Sequence, residues 1–241
     1  NINYCGNKGY KSTLEFEDQM KWLELLLNCV LQQDKQLVIA MHAPMKPSPE
    51  HPLIDGGEKL IKMVMNKFQA TIISGHYHRN SNTDLGAGIT EHNLGAVCGT
   101  WWNGDTGSDG SPNGYQVFEG NKNKISWYYK ATGQKRNWQF KTYPKGSIME
   151  RPNAVVAKVW NWDKNWRIRW YEDEKFMGDM EQFYSYDPDY LAHLNGRRAV
   201  ADYEPARTNH YFSATPSITA KKIKIEVTDC FGEVYTEEIY L

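Results

Sequence analysis

Three histidines of this chain stand directly after short apolar, β-rich runs. Leu37-Val38-Ile39-Ala40-Met41 ends in His42-Ala43-Pro44, and Ala70-Thr71-Ile72-Ile73-Ser74 ends in Gly75-His76-Tyr77-His78. Runs rich in Ile and Val, closed by Gly or Pro, predict buried strands. Ligands of open α/β sheets gather at the carboxyl ends of strands. Neutral imidazole there is a ligand for Zn, Fe, Mn or Ni. A single His at a strand end is more often a hydrogen-bonded structural residue. Three in one context, two of them as H-x-H, point to metal instead. His51, His92, His193 and His210 lack that context. By chemistry alone, His42, His76 and His78 could hold one Zn with an open coordination position.

The elements that would position these residues are legible from periodicity. Ser12-Thr13-Leu14-Glu15 reads as a capping box. Phe16, Met20, Leu23, Leu27, Val30 and Leu31 then recur at helical spacing, predicting an amphipathic helix from Thr13 to Gln33. Pro44, Pro47, Pro49 and Pro52 predict a loop leaving the first His. Glu58 to Phe68 reads as a second helix that feeds the Ala70 strand. Helix, strand, helix, strand argues for a layered α/β sheet.

After His78 the pattern changes. Residues 89–97 and 115–130 read as antiparallel strands flanking a loop, Gly99 to Gly114, that holds five glycines. Loops of that length are usually functional or disordered, and Trp101 and Trp102 argue against disorder. Pro144, Gly146 and Pro152 suggest a boundary, giving domains 1–148 and 149–241. Beyond it, 154–160, 166–172, 211–214, 222–228 and 233–240 read as short strands, the last two joined by an Asp229-Cys230-Phe231-Gly232 turn. Asp187 to Leu194 reads as a short helix between them. The expected class is α/β (α+β), with the later part an antiparallel sandwich of immunoglobulin or fibronectin type.

His42-Ala43-Pro44 followed by Gly75-His76-Tyr77-His78 resembles the last two metal motifs of the calcineurin-like metallophosphoesterase superfamily. In that family the order is D-x-H, G-D-x-x-D, G-N-H-[DE], a lone His after a strand, then G-H-x-H. The runs Gly95 to Trp102 and Asp109 to Tyr115 resemble a bacterial branch that carries a β-sandwich after its catalytic domain. The resemblance implies the C-terminal half of an αββα sandwich followed by that β-sandwich. It implies two divalent ions, Zn, Mn, Fe or Ni, sharing a bridging carboxylate and water and hydrolysing a phosphate mono- or diester. His42 and His76 would bind one ion and His78 the other. G-D-x-x-D and G-N-H-[DE] are absent from residues 1–241. The catalytic residues and missing ligands are therefore expected upstream of Asn1, in an N-terminal part of the same protein. This chain alone is expected to hold no metal or one ion, and to be inactive.

On the substrate side the candidates are Trp101, Trp102, Arg79 and Asp109. Core packing or a domain seam is the alternative for the tryptophans, an outward solvated side chain for Arg79, and a turn-forming role for Asp105 and Asp109.

Composition removes several classes. A net charge of −1 gives no basic field for nucleic acid and no polybasic face for a membrane. No apolar run is long enough to span a bilayer. Cys5, Cys29, Cys98 and Cys230 lack C-x-x-C spacing and read as packed thiols, with one bridge left open. Nine Trp, fifteen Tyr and eight Phe suit either a sugar-binding surface or a sandwich core. With the appended sandwich, they suggest a periplasmic or secreted protein. Two further functions stay open: a noncatalytic glycan- or protein-binding module, and a mononuclear three-His hydrolase.

Overall fold

A computed structural model describes residues 1–30, 36–48, 50–122, 124–194 and 204–241. The chain divides into two compact units, residues 1–94 with 118–126, and residues 95–117 with 127–241. It is a mixed α+β structure.

The first unit opens with a small antiparallel pair, β1 (Ile2–Tyr4) and β2 (Tyr10–Ser12). Helix α1 (Glu17–Cys29), strand β3 (Gln36–Ala40), helix α2 (Gly57–Val64) and strand β4 (Gln69–Ser74) follow. Then come β5 (Ser81–Gly86) and β6 (Ile89–Asn93). The sheet runs β3-β4-β6-β5, with β3, β4 and β6 parallel and β5 antiparallel at the edge. Helix α2 is the crossover that a parallel β3–β4 pair needs. Met20 and Leu27 of α1 and Leu60, Met63 and Val64 of α2 share one core with Ala70, Ile72 and Ile89 of the sheet.

Helix α1 is shorter than its periodicity suggests. Ser12 ends β2, and the hydroxyl of Thr13 accepts the Glu15 N–H at 3.0 Å in a local turn. Phe16 takes the N-cap position without a side-chain cap. The expected capping box is therefore replaced by a strand end and a turn. Expected helical residues 31–33 lie outside the described residues. Strand β3 is an edge strand with alternating exposure, Val38 being 50% exposed, and not the fully buried strand its composition suggests.

A hairpin, β7 (Gly114–Asn121) with β8 (Lys124–Ala131), links the units; its tip belongs to the first and its base to the second. The second unit continues with β9 (Phe140–Tyr143), β10 (Val155–Val159), β11 (Arg167–Glu172), β12 (Lys175–Asp179) and β13 (Glu181–Ser185). Helix α3 (Pro188–Leu194) and strands β14 (Thr208–Ala214), β15 (Lys222–Thr228) and β16 (Val234–Tyr240) complete it. Two antiparallel four-stranded sheets result, β13-β14-β10-β9 and β12-β11-β15-β16. Val155, Ala157 and Val159 from the first meet Ile223, Ile225 and Val227 from the second in one core, which makes this unit a β-sandwich. The Pro/Gly cluster near 144–152 joins β9 to β10, which pair in one sheet, so sandwich strands begin at Phe140, before residue 149.

None of the four cysteines is in a disulfide. Cys5 and Cys29 are exposed rather than packed, because Cys5 follows the solvated β1 and Cys29 lies on the outer face of α1. Among the described residues no helix is long and apolar enough to cross a membrane.

Candidate metal centre

His42 and His76 sit two residues past the carboxyl ends of the adjacent parallel strands β3 and β4. The backbone ladder continues beyond both strands: Met41 N–H donates to Ile73 O and Gly75 N–H donates to His42 O, each at 2.9 Å. This brings the rings together. His42 Nε2 lies 3.0 Å from His76 Nδ1, with ring centroids 5.0 Å apart in an edge-on arrangement.

His76 and His78 both have positive φ, 74° and 54°. Non-glycine residues in that region carry strain that surrounding structure must hold, and such residues cluster at functional sites. Partial burial lowers the pKa of His76, and the neighbouring His42 and His78 lower it further. Its imidazole is thus biased to the neutral, ligand-competent form.

The geometry suits a shared ion in part. Zn–N bonds of about 2.0–2.1 Å set two adjacent ligand nitrogens roughly 3.0–3.4 Å apart, and His42 and His76 fall at the short end of that range. Among the described residues, however, no three His, Cys, Asp or Glu side chains gather into a metal-holding group. The three-imidazole Zn site considered from sequence is therefore not assembled: two rings converge and His78 does not complete a triad.

Behind the pair lies a residue that sequence reasoning passed over. Glu91 on β6 is fully buried. Its Oε1 accepts the Met45 N–H at 2.7 Å and the Ser74 hydroxyl at 3.0 Å, and its Oε2 accepts the Lys46 N–H at 3.3 Å. Burial raises its pKa, while these hydrogen bonds oppose the rise. A carboxylate inside the predicted strand 89–97 was the available signal. Two residues on, Asn93 Nδ2 donates to Arg79 O at 3.1 Å and so ties down the chain after His78. Asn1 brackets Ala43, donating to its carbonyl at 2.7 Å and accepting its N–H at 2.9 Å. The Arg79 side chain is exposed.

The other expected site residues belong to the second unit. Trp101 and Trp102 are 57% and 75% exposed, so core packing does not account for them, and both have positive φ. Trp102 N–H donates to Cys98 O at 2.7 Å. Asp109 has an internal role instead of the expected substrate contact. It is 1% exposed, and its two carboxylate oxygens accept the Ser111 N–H at 3.0 Å and the Ser111 hydroxyl at 2.9 Å. An Asp in a glycine-rich turn satisfies the local backbone before it can serve a ligand.

The loop bearing these residues is fixed from beneath. Lys158 of β10 is fully buried and donates to Asp109 O at 2.7 Å, with its ammonium 4.8 Å from the Tyr211 ring. Burial lowers the Lys158 pKa; Asp109 and Asp187 oppose this. Tyr143 and Tyr211 hydroxyls both donate to Asp187 Oδ2 at 2.9 Å.

Comparison with known families gives a match to the model described as the C terminal of calcineurin-like phosphoesterase, over residues 91–235. Comparison with curated proteins gives no match.

Proposed function

Because the chain belongs to the calcineurin-like phosphoesterases, we propose that it is part of a metal-dependent hydrolase of phosphate mono- or diesters, with His42, His76 and His78 as imidazole ligands. The observation that carries this reading is the convergence of His42 and His76 at the ends of adjacent parallel strands, 3.0 Å apart. Three neutral imidazoles cannot offset two divalent cations, so bridging and terminal carboxylates are assigned to polypeptide outside residues 1–241. Bound divalent ions supply Lewis acidity toward the phosphoryl group. In this scheme the chain's own residues hold and orient. His42 Nε2 and His76 Nδ1, 3.0 Å apart, would supply the two nitrogens for one ion, with His76 biased to its neutral form. Arg79 is assigned to phosphate oxygens, which its planar guanidinium can engage in pairs.

The test uses a version of the protein that includes the upstream polypeptide. Hydrolysis of p-nitrophenyl phosphate and bis-p-nitrophenyl phosphate is measured with Zn or Mn, alongside elemental analysis. His76→Ala is expected to lower metal content and turnover together. If both stay unchanged, the reading fails.

A second reading rests on a different observation, the exposed Trp101–Trp102 pair held at positive φ. Such a pair offers a stacking surface to a glycan or another protein. It is compatible with the first reading, and becomes the main one if the intact protein binds no metal.

A further inference from the structure

His42 and His76 come from two separate chain segments, and their approach depends on how those segments are held. The loop after His42 passes through Met45 and Lys46, and the strand before His76 ends at Ser74. All three of these residues donate to one side chain, the buried carboxylate of Glu91. Glu91 lies on β6, opposite Ile72 in the β4–β6 register and on the helix-covered face that also carries Ile89. A charge in that position is costly unless its lone pairs are satisfied. Three donors from two segments satisfy it, which no apolar residue could do. An amide would place an NH₂ against a backbone N–H, and Asp would fall one methylene short.

We infer that Glu91 is a positioning residue, a buried anionic clamp that locks the His42 loop and the His76 strand end into the arrangement where their imidazoles meet. Its relevance to catalysis rests on the metal reading above; the clamp itself does not. Outer residues that orient metal ligands are commonly worth 10–100-fold in metal affinity.

The experiment compares the wild-type chain with Glu91→Gln and Ser74→Ala. Long-range ¹H–¹⁵N spectra at one fixed pH read the ring states of His42 and His76. Calorimetric titration with ZnCl₂ reads metal affinity. The ring signals of His210, buried in the sandwich, report whether the second unit is unchanged. With Glu91→Gln the His42 and His76 signals should lose their wild-type tautomeric pattern, and Zn²⁺ affinity should fall tenfold or more, while His210 stays put. Ser74→Ala, which removes one donor and leaves the charge, should shift both readouts the same way by less. If Glu91→Gln lowers only the melting temperature, leaving the ring signals unchanged and Zn²⁺ affinity within twofold, the proposal is overturned. If the wild-type chain binds no Zn²⁺, which the proposed function allows for residues 1–241 alone, the ring signals decide the clamp by themselves. If Glu91→Gln does not fold, Ser74→Ala decides it, and unchanged ring signals there would overturn the proposal.

Discussion

Removing His76 and removing Trp102 should have different signatures, because one side chain offers a lone pair and the other an apolar face. If the proposed function holds, His76→Ala in a version of the protein that includes the upstream polypeptide should cut turnover by orders of magnitude on every phosphoester, with metal lost in parallel. Trp102→Ala should leave metal content intact. Its effect should vary with the substrate, since an aromatic contact worth on the order of 1 kcal/mol counts only for ligands that reach it. A uniform loss with reduced thermal stability would mean that Trp102 supports the fold. His92 gives a separate handle on the first unit. It is buried against Phe118, with Nδ1 2.5 Å from Asn82 Oδ1, and burial pushes its pKa down to about 4. A depressed pKa means that the unfolded chain binds more protons between pH 6.5 and 4. Stability from this group is thus complete above pH 6.5 and lost as pH falls toward 4, by on the order of 3 kcal/mol. Denaturant unfolding at several pH values should show a shallower acid slope for His92→Gln than for wild type. Equal slopes would rule the linkage out.

At the scale of elements, the glycine-rich loop of the second unit is tightly constrained at Gly110. Gly110 has φ +77°, and a Cβ there would lie 2.2 Å from the Asp187 carboxyl, which accepts from Tyr143 and Tyr211. Gly110→Ala should therefore destabilise by at least about 1–3 kcal/mol, combining left-handed backbone strain with a displaced buried carboxylate. Thermal unfolding checks this, and a change under about 0.5 kcal/mol, the range of ordinary surface substitutions, would show that the loop yields freely. The strands visible in the sequence were β3, β4, β6, β10, β11, β14, β15 and β16, with the β7–β8 hairpin inside the expected strand region 115–130. The strands passed over, β1, β2, β5, β9, β12 and β13, all lie at sheet edges. Edge strands such as Lys175–Asp179 are mostly exposed, so the alternation that reveals a half-buried strand is absent. The Pro/Gly cluster after Tyr143 reads as a linker because turn residues look the same within a sheet and between domains. Only the pairing of Val156 with Tyr143 separates the two cases. The His42–His76 approach was legible from strand-end context. Glu91 was not, because its donors are two backbone N–H groups and a serine hydroxyl, which leave no spacing pattern.

For the molecule as a whole, the question is how much metal residues 1–241 can hold by themselves. Two divalent ions close together repel strongly, and proteins offset that charge with carboxylates. Near His42 and His76 the structure supplies imidazoles, which carry no negative charge, and the nearby carboxylate of Glu91 is already engaged by three donors. Among the described residues no third His, Cys, Asp or Glu joins the pair. The purified 241-residue chain should therefore bind at most one Zn²⁺ or Mn²⁺, weakly, and should hydrolyse p-nitrophenyl phosphate no faster than its His76→Ala variant. Elemental analysis after gel filtration, with the two rates measured side by side, tests both halves. Two tightly held ions per chain, with carboxylates from a second copy excluded by a monomeric elution volume, would show that these residues form the centre without upstream ligands. The proposed division of labour, imidazoles from this chain and carboxylates from outside it, would then be wrong.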